Sequence, residues 1–549
     1  MTAETQTSGQ APAPDAPVPD APPPGAPANP LEGAMRTGTL NSLWAQMQPD
    51  VLAIVSPHGN RTYAELNARA NQVVRTLRAA GITAGDSIAL LCSNRPEFVE
   101  VMQAANRSGL RLTPINWHVT AEEAAYVVGD CGAKAFFADA RFADVATAAV
   151  AASDVAVRIA IGGAIAGFAD YDAEISTQDD ANLPDPSMGS TMLYTSGTTG
   201  RPKGVHREAR GQQSASATAL MAKLSEASQF QAGRDVTLVT GPLYHAAPLA
   251  FALGIPLAYG TTVALMDGWD AEETLRLIDE HKVTHTHLVP TMFHRLLSLP
   301  EDVRNRYDLS SLRLIWHGAA PCPVPVKQAV LDWLGPIVWE YYGATEGLTT
   351  VVRPEEWLAH PGTVGRPADG QIRVYDDAGE PCRPGVPGTI YIKAPEEGRF
   401  HYFGDDEKTA NAYRGDYYTL GDVGYLDEDG WLYLTDRSTN LIISGGVNIY
   451  PAEVESVLIT HHAVGDVAVI GVPNEEWGEE VKAVVELQPG HEQSPELAEE
   501  LIVFARGKLA GYKVPRSVDF VDRLPREDNG KLYKRQLREA YRAAAAVTG

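Results

Sequence analysis

The sequence predicts an α/β protein with a large N-terminal domain of α/β sheets, a β-rich subdomain and a small α+β C-terminal domain. Through most of the chain, short apolar runs alternate with segments of helical periodicity, which is the pattern of largely parallel sheets. From about residue 365, strand-like runs separated by Gly, Pro and Asp indicate the β-rich subdomain. From 437 onward the chain has strands and helices of its own and is long enough to fold separately.

The first well-marked helix follows RTYAEL (61–66). Thr62 and Glu65 have the spacing of a capping box, in which each side chain satisfies the other residue's backbone N–H. Apolar residues then recur at helical spacing up to Gly81, a residue type that commonly ends a helix. We therefore predict a helix that begins after Thr62 and ends before Gly81.

Later runs predict the remaining elements. In the N-terminal domain we expect strands at 87–93, 236–240, 283–289 and 312–318, with a helix around 275–281. The β-rich subdomain should contain the runs GQIRVYD (370–376), GTIYIKA (388–394) and GWLYLTD (430–436) as strands. The C-terminal domain should contain strands at 463–472 and 481–487 and helices at 451–460 and 497–510.

Length and charge exclude several classes of protein. A chain of 549 residues is too long for one ordinary core, and 44% hydrophobic with 21% charged residues is typical of a globular protein. The net charge of −25 argues against nucleic-acid partners, which need a basic face. Any anionic ligand must therefore be held by local positive groups. The four cysteines have no C-x-x-C spacing, which indicates free thiols in a cytoplasmic, reducing setting.

Two segments could be mistaken for targeting or membrane signals. Residues 11–30 are rich in Ala and Pro and lack Lys and Arg, so we expect residues 1–37 to be a disordered tail before domains at 38–436 and 437–549. Residues 246–266 carry no charge and have the length of a membrane span. Pro and Gly interrupt this run four times, which favours a buried helix leading into a buried strand over a membrane span.

The stretch YTSGTTGRPKG (194–204) is the most unusual in the chain. It is either a surface turn or a phosphate cradle, because glycines admit an anion close to backbone N–H groups while hydroxyls and Lys203 add donors. It departs from the Walker A pattern, since the Lys falls one place late and no Ser or Thr follows it. The loop alone does not decide between the two interpretations.

Three further motifs place charged side chains in loops. Glu346 in YYGATEG (341–347) is a candidate Mg²⁺ ligand, since Mg²⁺ takes one or two carboxylates plus phosphate oxygens. Asp422 in YTLGD (418–422) can accept two ribose hydroxyls. Lys531 lies in GKLYKR (530–535) at the base of a loop. Taken singly, Glu346 and Asp422 are better explained as ordinary residues of exposed turns.

Together, these motifs resemble those of the adenylate-forming superfamily, which includes acyl-CoA synthetases, luciferases and the adenylation domains of peptide synthetases. The resemblance covers residues 38–540 and also rests on PLYHAAP (242–248), HGAAP (317–321), DRSTNLIISGGVNIYPAEVE (436–455) and LPREDNGKLYKR (524–535). It implies an ATP-dependent, acid–thiol ligase. Such an enzyme converts a carboxylate to an acyl-adenylate, releases pyrophosphate, and passes the acyl group to a thiol, with rotation of a mobile C-terminal domain between the steps.

The resemblance assigns roles to individual residues. Those expected to hold the β- and γ-phosphates of ATP are Thr195, Ser196, Gly197, Thr198, Thr199, Gly200 and Lys203. Those expected around the rest of the nucleotide are Gly318, Ala319, Ala320, Tyr342 (stacked on the base), Gly343, Asp422 (on the ribose) and Arg437.

The remaining roles concern catalysis and the thiol. The expected catalytic residues are Lys531 at the carboxylate and α-phosphate, Thr345 at the α-phosphate, Glu346 on Mg²⁺ and His245 as a gate between acyl and thiol sites. Ser444, Gly445 and Gly446 are expected along the pantetheine arm of coenzyme A. Two positions depart from the family pattern: Thr439 replaces a charged hinge residue, and Leu420 replaces a small hydroxyl residue.

The resemblance leaves the acid and the acceptor open. The uncharged run at 246–255 favours an apolar acid, for which we expect a fatty-acid-like carboxylate; a steroid or bile-acid side chain or an aromatic acid also suits it. Coenzyme A is the expected acceptor, with a carrier-protein thiol as an alternative. Nitrite activation for diazotisation of an aryl amine, and a non-catalytic nucleotide-binding relative, also stay open. A homodimer is compatible with the sequence.

Overall fold

The computed structural model describes residues 30–151, 153–195, 202–207, 224, 227–395, 399–474, 476–526, 530 and 532–548. Five β-sheets organise this part of the chain. Two large sheets with flanking helices form the N-terminal domain, two antiparallel sheets form a β-rich region, and one sheet belongs to the C-terminal domain. The predicted α/β architecture with a β-rich subdomain and a smaller C-terminal domain is confirmed.

The first large sheet has eight strands. All but its two edge strands run parallel to their neighbours, as expected where strands alternate with helices. The strands predicted near 236, 283 and 312 lie side by side in it. In spatial order, its strands are Gly347–Val352, Val338–Ala344, Leu314–His317, His285–Leu288, Val236–Val239, Thr262–Leu265, Leu52–Val55 and Arg61–Thr62.

The second large sheet has six strands, all parallel. Its core strand is the predicted run at 87–93, which is fully buried as an apolar strand between two helical layers should be. In spatial order, its strands are Ala169–Asp170, Val157–Ile161, Ala133–Asp139, Ser87–Leu91, Arg111–Pro114 and Ser190–Thr191.

The predicted capping box is present at the helix Tyr63–Ala79. The Thr62 hydroxyl accepts from the Glu65 N–H at 3.2 Å, and Glu65 accepts from the Thr62 N–H at 2.8 Å. Gly81 follows the helix in the left-handed region at φ +82°. The remaining N-terminal helices are Pro30–Thr37, Leu40–Met47, Pro96–Ser108, Ala121–Asp130, Ala143–Ala151, Tyr171–Ser176, Ile255–Ala258, Ala271–His281, Pro290–Leu297, Glu301–Arg304, Val324–Leu334 and Pro354–Ala359, with a 3₁₀ turn at Ala140–Phe142.

The uncharged run at 246–266 folds as predicted. It forms a π-helical segment, Pro248–Gly254, continues as the short helix Ile255–Ala258 and ends in the buried strand Thr262–Leu265. Pro and Gly break this run into short pieces that pack inside the domain. Among the described residues, no helix has both the length and the apolar character needed to cross a membrane.

The β-rich region contains a three-stranded and a six-stranded antiparallel sheet. The smaller one consists of His401–Tyr402, Lys203–His206 and Leu193–Thr195. The larger one consists of Tyr413–Arg414, Tyr417–Tyr418, Gly388–Lys393, Asp422–Leu426 and Leu432–Arg437, with Ile372–Tyr375 paired to Gly388–Lys393. The helix Asp406–Ala412 connects the two sheets.

The C-terminal domain has one five-stranded sheet. Its strands are Val447–Ile449, Ile442–Ser444, Gly478–Leu487, Val464–Asn474 and, beside Gly478–Leu487, Ser517–Val521. Its helices are Pro451–Leu458, Pro495–Arg506 and Lys534–Thr548, with 3₁₀ turns at Ser438–Asn440 and Gly511–Lys513. Since Leu432–Arg437 pairs within the preceding sheet and Ile442 opens the C-terminal one, the connection between them runs through 438–441.

The N-terminal segment differs from its prediction at one point. Residues 1–29 lie outside the described residues, but 30–37, which we expected within a disordered tail, form the helix Pro30–Thr37. In contrast to the Ala/Pro-rich stretch before it, PLEGAMRT places Leu31 and Ala34 at helical spacing, and Ala34 is buried. The Thr37 hydroxyl also donates to the Gly33 carbonyl at 2.9 Å.

Candidate functional site

A cavity of about 400 Å³ lies between the N-terminal part and the C-terminal domain. Six of the predicted nucleotide-binding residues line it, namely Ala319, Ala320, Tyr342, Gly343, Asp422 and Arg437. The segment around Lys531 also contributes to the lining, through Gly530, Leu532, Tyr533 and Lys534. Lys531 itself lies outside the described residues.

A hydrogen-bonded triad forms one wall of the cavity. The Tyr342 hydroxyl donates to Asp422 Oδ2 at 2.8 Å, and Arg437 Nε donates to Asp422 Oδ1 at 3.2 Å. Asp422 and Arg437 face each other across paired antiparallel strands, which fixes their separation. Burial, and then the Asp422 carboxylate, raise the pKa of Tyr342 well above its ordinary value, so the phenol stays protonated and donates.

The loop after the strand Leu314–His317 enters the cavity because it turns sharply. Ala319 has φ +68°, a left-handed conformation that costs energy for a residue with a Cβ. Gly318 packs against the ring of Tyr341, and a Cβ there would lie 2.6 Å from Tyr341 Cζ. Gly318 therefore lets the loop cross the tyrosine ring and present Ala319 and Ala320 to the cavity.

The predicted phosphate loop lies between two paired antiparallel strands, Leu193–Thr195 and Lys203–His206, which we call the hairpin. Thr195 pairs with Lys203 across antiparallel strands, which brings the two ends of the loop together. Lys203 Nζ lies 3.1 Å from Asp405, whose hydrogen bond raises the pKa of the lysine. The residues between, including the predicted Ser196, Gly197, Thr198, Thr199 and Gly200, lie outside the described residues.

Glu346 connects this hairpin to the cavity wall. It is buried in the turn after the strand Val338–Ala344, the strand that carries Tyr342, and next to the half-buried Thr345. Its Oε1 accepts from the Tyr402 hydroxyl at 2.8 Å, and Tyr402 belongs to the hairpin's sheet. Arg207 donates to the Glu346 main-chain carbonyl. One carboxylate beside a phosphate-loop hairpin is a donor set that fits Mg²⁺, which completes its shell with phosphate oxygens and water.

His245 and the segment 444–446 are among the predicted residues that do not line the cavity. His245 lies before the π-helical segment, half-buried, with its ring centroid 4.4 Å from that of Tyr244. Ser444, Gly445 and Gly446 form the tip of the hairpin between Ile442–Ser444 and Val447–Ile449, and both glycines are exposed with positive φ. A Cβ at Gly445 would lie 2.6 Å from the Trp477 ring.

A buried ionic cluster beneath the cavity was not predicted. Lys327 Nζ lies 2.6 Å from Glu340 Oε2 and 4.7 Å from the centroid of the Trp357 ring, with the lysine side chain fully buried. His317 Nε2 lies 3.4 Å from the same carboxylate oxygen. Burial opposes ionisation of Glu340, but His317 and Lys327 outweigh it and lower its pKa to about 2. Glu340 precedes the YYGATEG motif directly, and that adjacency is the signal that could have identified it.

Basic and acidic residues are nearly equal in number in the cavity lining, although the chain as a whole is strongly acidic. Against a net charge of −25, it contains the basic residues Arg295, Arg437, Arg526, Lys534, Arg535 and Arg538 and the acidic residues Glu340, Asp422, Asp436, Glu455 and Asp466. Arg526 is paired with Asp466 at 2.8 Å and Lys534 with Glu455 at 2.8 Å. Local positive groups of the kind predicted for an anionic ligand are thus present.

Comparison with known proteins identifies the family. Residues 42–399 match the family model of the AMP-binding enzyme, and residues 453–531 match that of the AMP-binding enzyme C-terminal domain. The chain is 34% identical over 504 residues to a feruloyl-CoA synthase of Amycolatopsis sp, covering 90% of this chain and 97% of that protein. It is 36% identical over 498 residues to a 2-succinylbenzoate–CoA ligase of Geobacillus kaustophilus, covering 90% and 96%.

A solved structure agrees with this identification. The anthranilate CoA ligase AuaEII, crystallised with anthranoyl-AMP, superposes with a TM-score of 0.82 at 25% identity, covering 93% of this chain and 98% of that chain. The chain therefore belongs to the AMP-binding enzyme family, within the adenylate-forming superfamily that the sequence motifs indicated. It is an AMP-forming acid–thiol ligase that uses ATP to convert an organic acid to an acyl-adenylate and transfers the acyl group to coenzyme A.

Proposed function

We propose that this ligase acts on an apolar aromatic carboxylic acid. The observation that carries the proposal is a buried aromatic wall behind Gly318. Tyr341 stacks on Phe251 with ring centroids 4.5 Å apart, and Phe251 also contacts Trp316 at 5.3 Å. Stacked rings of this kind favour a flat aromatic partner. Feruloyl, 2-succinylbenzoate and anthranilate, the acids in the names of the three relatives reported above, are aromatic, and each also carries polar groups.

A polar pair inside the wall supports the same substrate class. The Tyr341 hydroxyl and His287 Nε2 are hydrogen-bonded at 2.9 Å within buried surroundings. Burial, and then the nearby His317, lower the pKa of His287 to about 3, so the ring is neutral near pH 7. Because Tyr341 and His287 satisfy each other, an apolar aromatic acid can bind beside them without leaving a buried polar group unpaired. A long flexible chain, which the uncharged sequence run had favoured, would find bulky side chains in its path.

The nucleotide is proposed to bind in the cavity between the domains. Asp422, held by Tyr342 and Arg437, has the position of an acceptor for the ribose hydroxyls, while Ala319 and Ala320 present backbone to the base. Glu346 would hold Mg²⁺, and Thr195 and Lys203 would frame the β- and γ-phosphates. When bound, Mg²⁺ neutralises charge on the phosphate oxygens. Thr345 lies beside Glu346, in the position proposed for contact with the α-phosphate.

The two steps are proposed to use opposite faces of the C-terminal domain. The neighbours of Lys531 line the cavity, whereas Gly445 and Gly446 face solvent. Large apolar side chains around that hairpin, Ile443, Val447 and Trp477, are 53%, 44% and 50% exposed, an arrangement that supports docking of this face in another orientation. We infer that the observed arrangement serves adenylate formation and that rotation about 438–441 brings Ser444, Gly445 and Gly446 to the site for thioester formation. His245 is proposed as the gate between acyl and thiol sites.

The cellular location and the oligomeric state of the enzyme are also proposals. The acidic composition supports a cytoplasmic location, and a homodimer is a proposal that light scattering of the purified chain tests directly.

Pyrophosphate release measures the proposed function. ATP and Mg²⁺ are incubated with a panel of benzoic, cinnamic, arylacetic, bile and fatty acids, and with nitrite plus an aminoaryl acid, each with and without coenzyme A. We expect the highest kcat/KM with one aromatic class, accelerated by coenzyme A and yielding its thioester. A preference for fatty or bile acids would contradict the aromatic proposal. Release only with nitrite and an amine, or tight ATP binding without turnover, would contradict the proposed reaction.

Replacing Asp422 with Ala should raise the KM for ATP by about 10- to 100-fold, because each hydrogen bond to a charged group is worth about 1.5–3 kcal/mol. ATP is titrated at saturating acid, and the released pyrophosphate is measured. Asp429→Ala is the matched control, since this exposed aspartate lies in the same subdomain. An unchanged KM for ATP in the Asp422→Ala enzyme would contradict the proposed role of Asp422 in binding the ribose.

Replacing Tyr341 with Ala should shift preference toward bulkier acids. Removing the ring opens the wall, and we expect the ratio of kcat/KM for a two-ring acid over a one-ring acid to rise by about 10-fold or more. Tyr341→Phe keeps the ring and should leave this ratio nearly unchanged. If thermal melting shows that Tyr341→Ala does not fold, Phe251→Leu tests the same wall. An unchanged ratio in a folded variant would mean that the acid binds elsewhere.

A further inference from the structure

Three metal-ligating side chains meet on the C-terminal domain. His461 and His462 precede the strand Val464–Asn474, and Glu500 lies on the helix Pro495–Arg506. One ligand atom from each of the three lies within 4.8 Å of the others. His461 Nε2 is 3.2 Å from Glu500 Oε1, and the two imidazole centroids are 4.4 Å apart.

We propose that His461, His462 and Glu500 bind a Zn²⁺ ion, leaving one coordination position for water. Two imidazole nitrogens and a carboxylate oxygen are the mixed donor set that suits Zn²⁺, whereas Mg²⁺ and Ca²⁺ prefer oxygen ligands alone. None of the three residues lines the ATP cavity. The Zn²⁺ site is therefore separate from Glu346 and from the Mg²⁺ that adenylation requires.

The surroundings of His461 fix the position of its ring. The residue is only 6% exposed, and Phe504 packs against its ring edge-on at 4.9 Å, which restricts rotation of the imidazole. His461 Nδ1 accepts a long hydrogen bond from the Ala463 N–H at 3.3 Å, so Nε2 is the nitrogen directed at Glu500. Coordination through Nε2 places the ring proton on Nδ1, which then faces the Ala463 N–H. The long 3.3 Å hydrogen bond between them must therefore break when the ion binds.

The other two ligands are open to solvent, which gives the ion a path of entry. His462 and Glu500 are exposed, and the ring of His491 lies 5.2 Å from that of His462. If the exposed side chains of His462 and Glu500 move slightly, they complete a three-ligand site with the buried His461.

The site is also connected to the contact between the domains. Gln488 donates its backbone N–H to the Ala463 carbonyl at 2.9 Å, and its side chain donates to Ser298 Oγ of the N-terminal part at 2.8 Å. An ion on His461 and His462 would therefore stiffen the turn that carries this contact.

Metal binding to the full-length chain tests the site. Chain free of any polyhistidine tag is stripped with chelator and titrated with Zn²⁺ by calorimetry and with Co²⁺ by visible absorption. We expect one site of 1:1 stoichiometry, with the absorption bands of four-coordinate Co²⁺. His462→Ala and Glu500→Gln should each weaken Zn²⁺ binding by about 10-fold or more, while His281→Ala, remote from the cluster, should leave the affinity unchanged.

The results that would contradict the Zn²⁺ site can be told apart from a failure of the proposed enzyme function. The chain has 14 histidines, and weak binding at several sites that His462→Ala does not alter would show an adventitious ion only and would overturn the proposal. Mg²⁺-dependent pyrophosphate release by His462→Ala should equal that of the unchanged chain. Such release confirms that the variant is folded, so a loss of Zn²⁺ binding is then a property of the cluster alone.

Discussion

Replacing Lys327 with Met should lower the free energy of unfolding by about 3–5 kcal/mol, because it leaves a buried carboxylate without its partner. Glu340 is 5% exposed, and Lys327 Nζ is its 2.6 Å neighbour. The pKa of Glu340 is lowered from 4.5 to about 2 despite burial, since His317 and Lys327 favour the charged form. The stabilisation from this shift is therefore complete above about pH 4.5 and is lost as the pH falls toward 2.

The double variant Lys327→Met, Glu340→Gln should recover most of that loss, since neither buried charge remains. Urea denaturation at pH 7, followed by tryptophan fluorescence, measures the free energy of unfolding of both variants; Trp357, 4.7 Å from Lys327 Nζ, is one of nine tryptophans that report it. Arg276→Ala, which removes an exposed pair with Glu273, is the control and should change stability by less than about 1 kcal/mol. Equal loss in the single and double variants would show that packing, rather than charge pairing, dominates at Lys327.

Replacing Lys531 with Ala should slow acyl-adenylate formation by about 10²–10³-fold, the usual cost of removing one preorganised charge from a transition state. The neighbours of Lys531 line the same cavity as the Tyr342–Asp422–Arg437 triad. Adenylate formation is followed as pyrophosphate release in a single turnover without coenzyme A. Thioester formation from separately supplied acyl-adenylate should be much less affected, since the proposed second step uses the other face of the domain.

Gly446→Trp should slow thioester formation and spare adenylate formation, the reverse of Lys531→Ala. Gly446 has φ +80°, so a tryptophan there strains the exposed turn, but its Cβ meets open space, and a folded variant should retain adenylation. The indole would obstruct the thiol path once the hairpin is docked, and thioester formation should fall instead. Lys508→Ala, an exposed lysine of the same domain, should leave both steps unchanged. If Lys531→Ala and Gly446→Trp slowed both half-reactions equally, the proposed division of the two faces would be wrong.

Local chemistry made much of the fold predictable. Thr62 and Glu65 are three residues apart, so their capping box depends on nothing beyond the helix start, and it is present. The strand runs at 236, 283 and 312 are rich in apolar residues, with Thr and His interspersed, and they lie in one sheet. The helix at 30–37 was missed because the Ala/Pro-rich composition of the preceding residues was extended across a short segment with a helical pattern of its own.

The residues of the candidate site that belong to sequence motifs could be predicted. Those that only tertiary contacts bring together could not. The resemblance placed Tyr342, Asp422 and Arg437 around one nucleotide, and they share one wall of the cavity. Nothing in the spacing of Phe251, His287 and Tyr341 indicates that they touch, because three different elements bring them together. The Lys327–Glu340 pair likewise depends on a helix packing under a strand, and its burial cannot be read from charge alone.

The product of a single reaction tests the central claim most directly. The purified chain is incubated with the best aromatic acid, ATP and Mg²⁺, and nucleotides and acyl products are identified by mass spectrometry before and after addition of coenzyme A. We predict an acyl-adenylate with pyrophosphate first, and then the acyl-CoA thioester with one AMP per thioester. Formation of ADP and phosphate, or a thioester formed without any adenylate, would contradict the account of an adenylate-forming ligase built on this cavity.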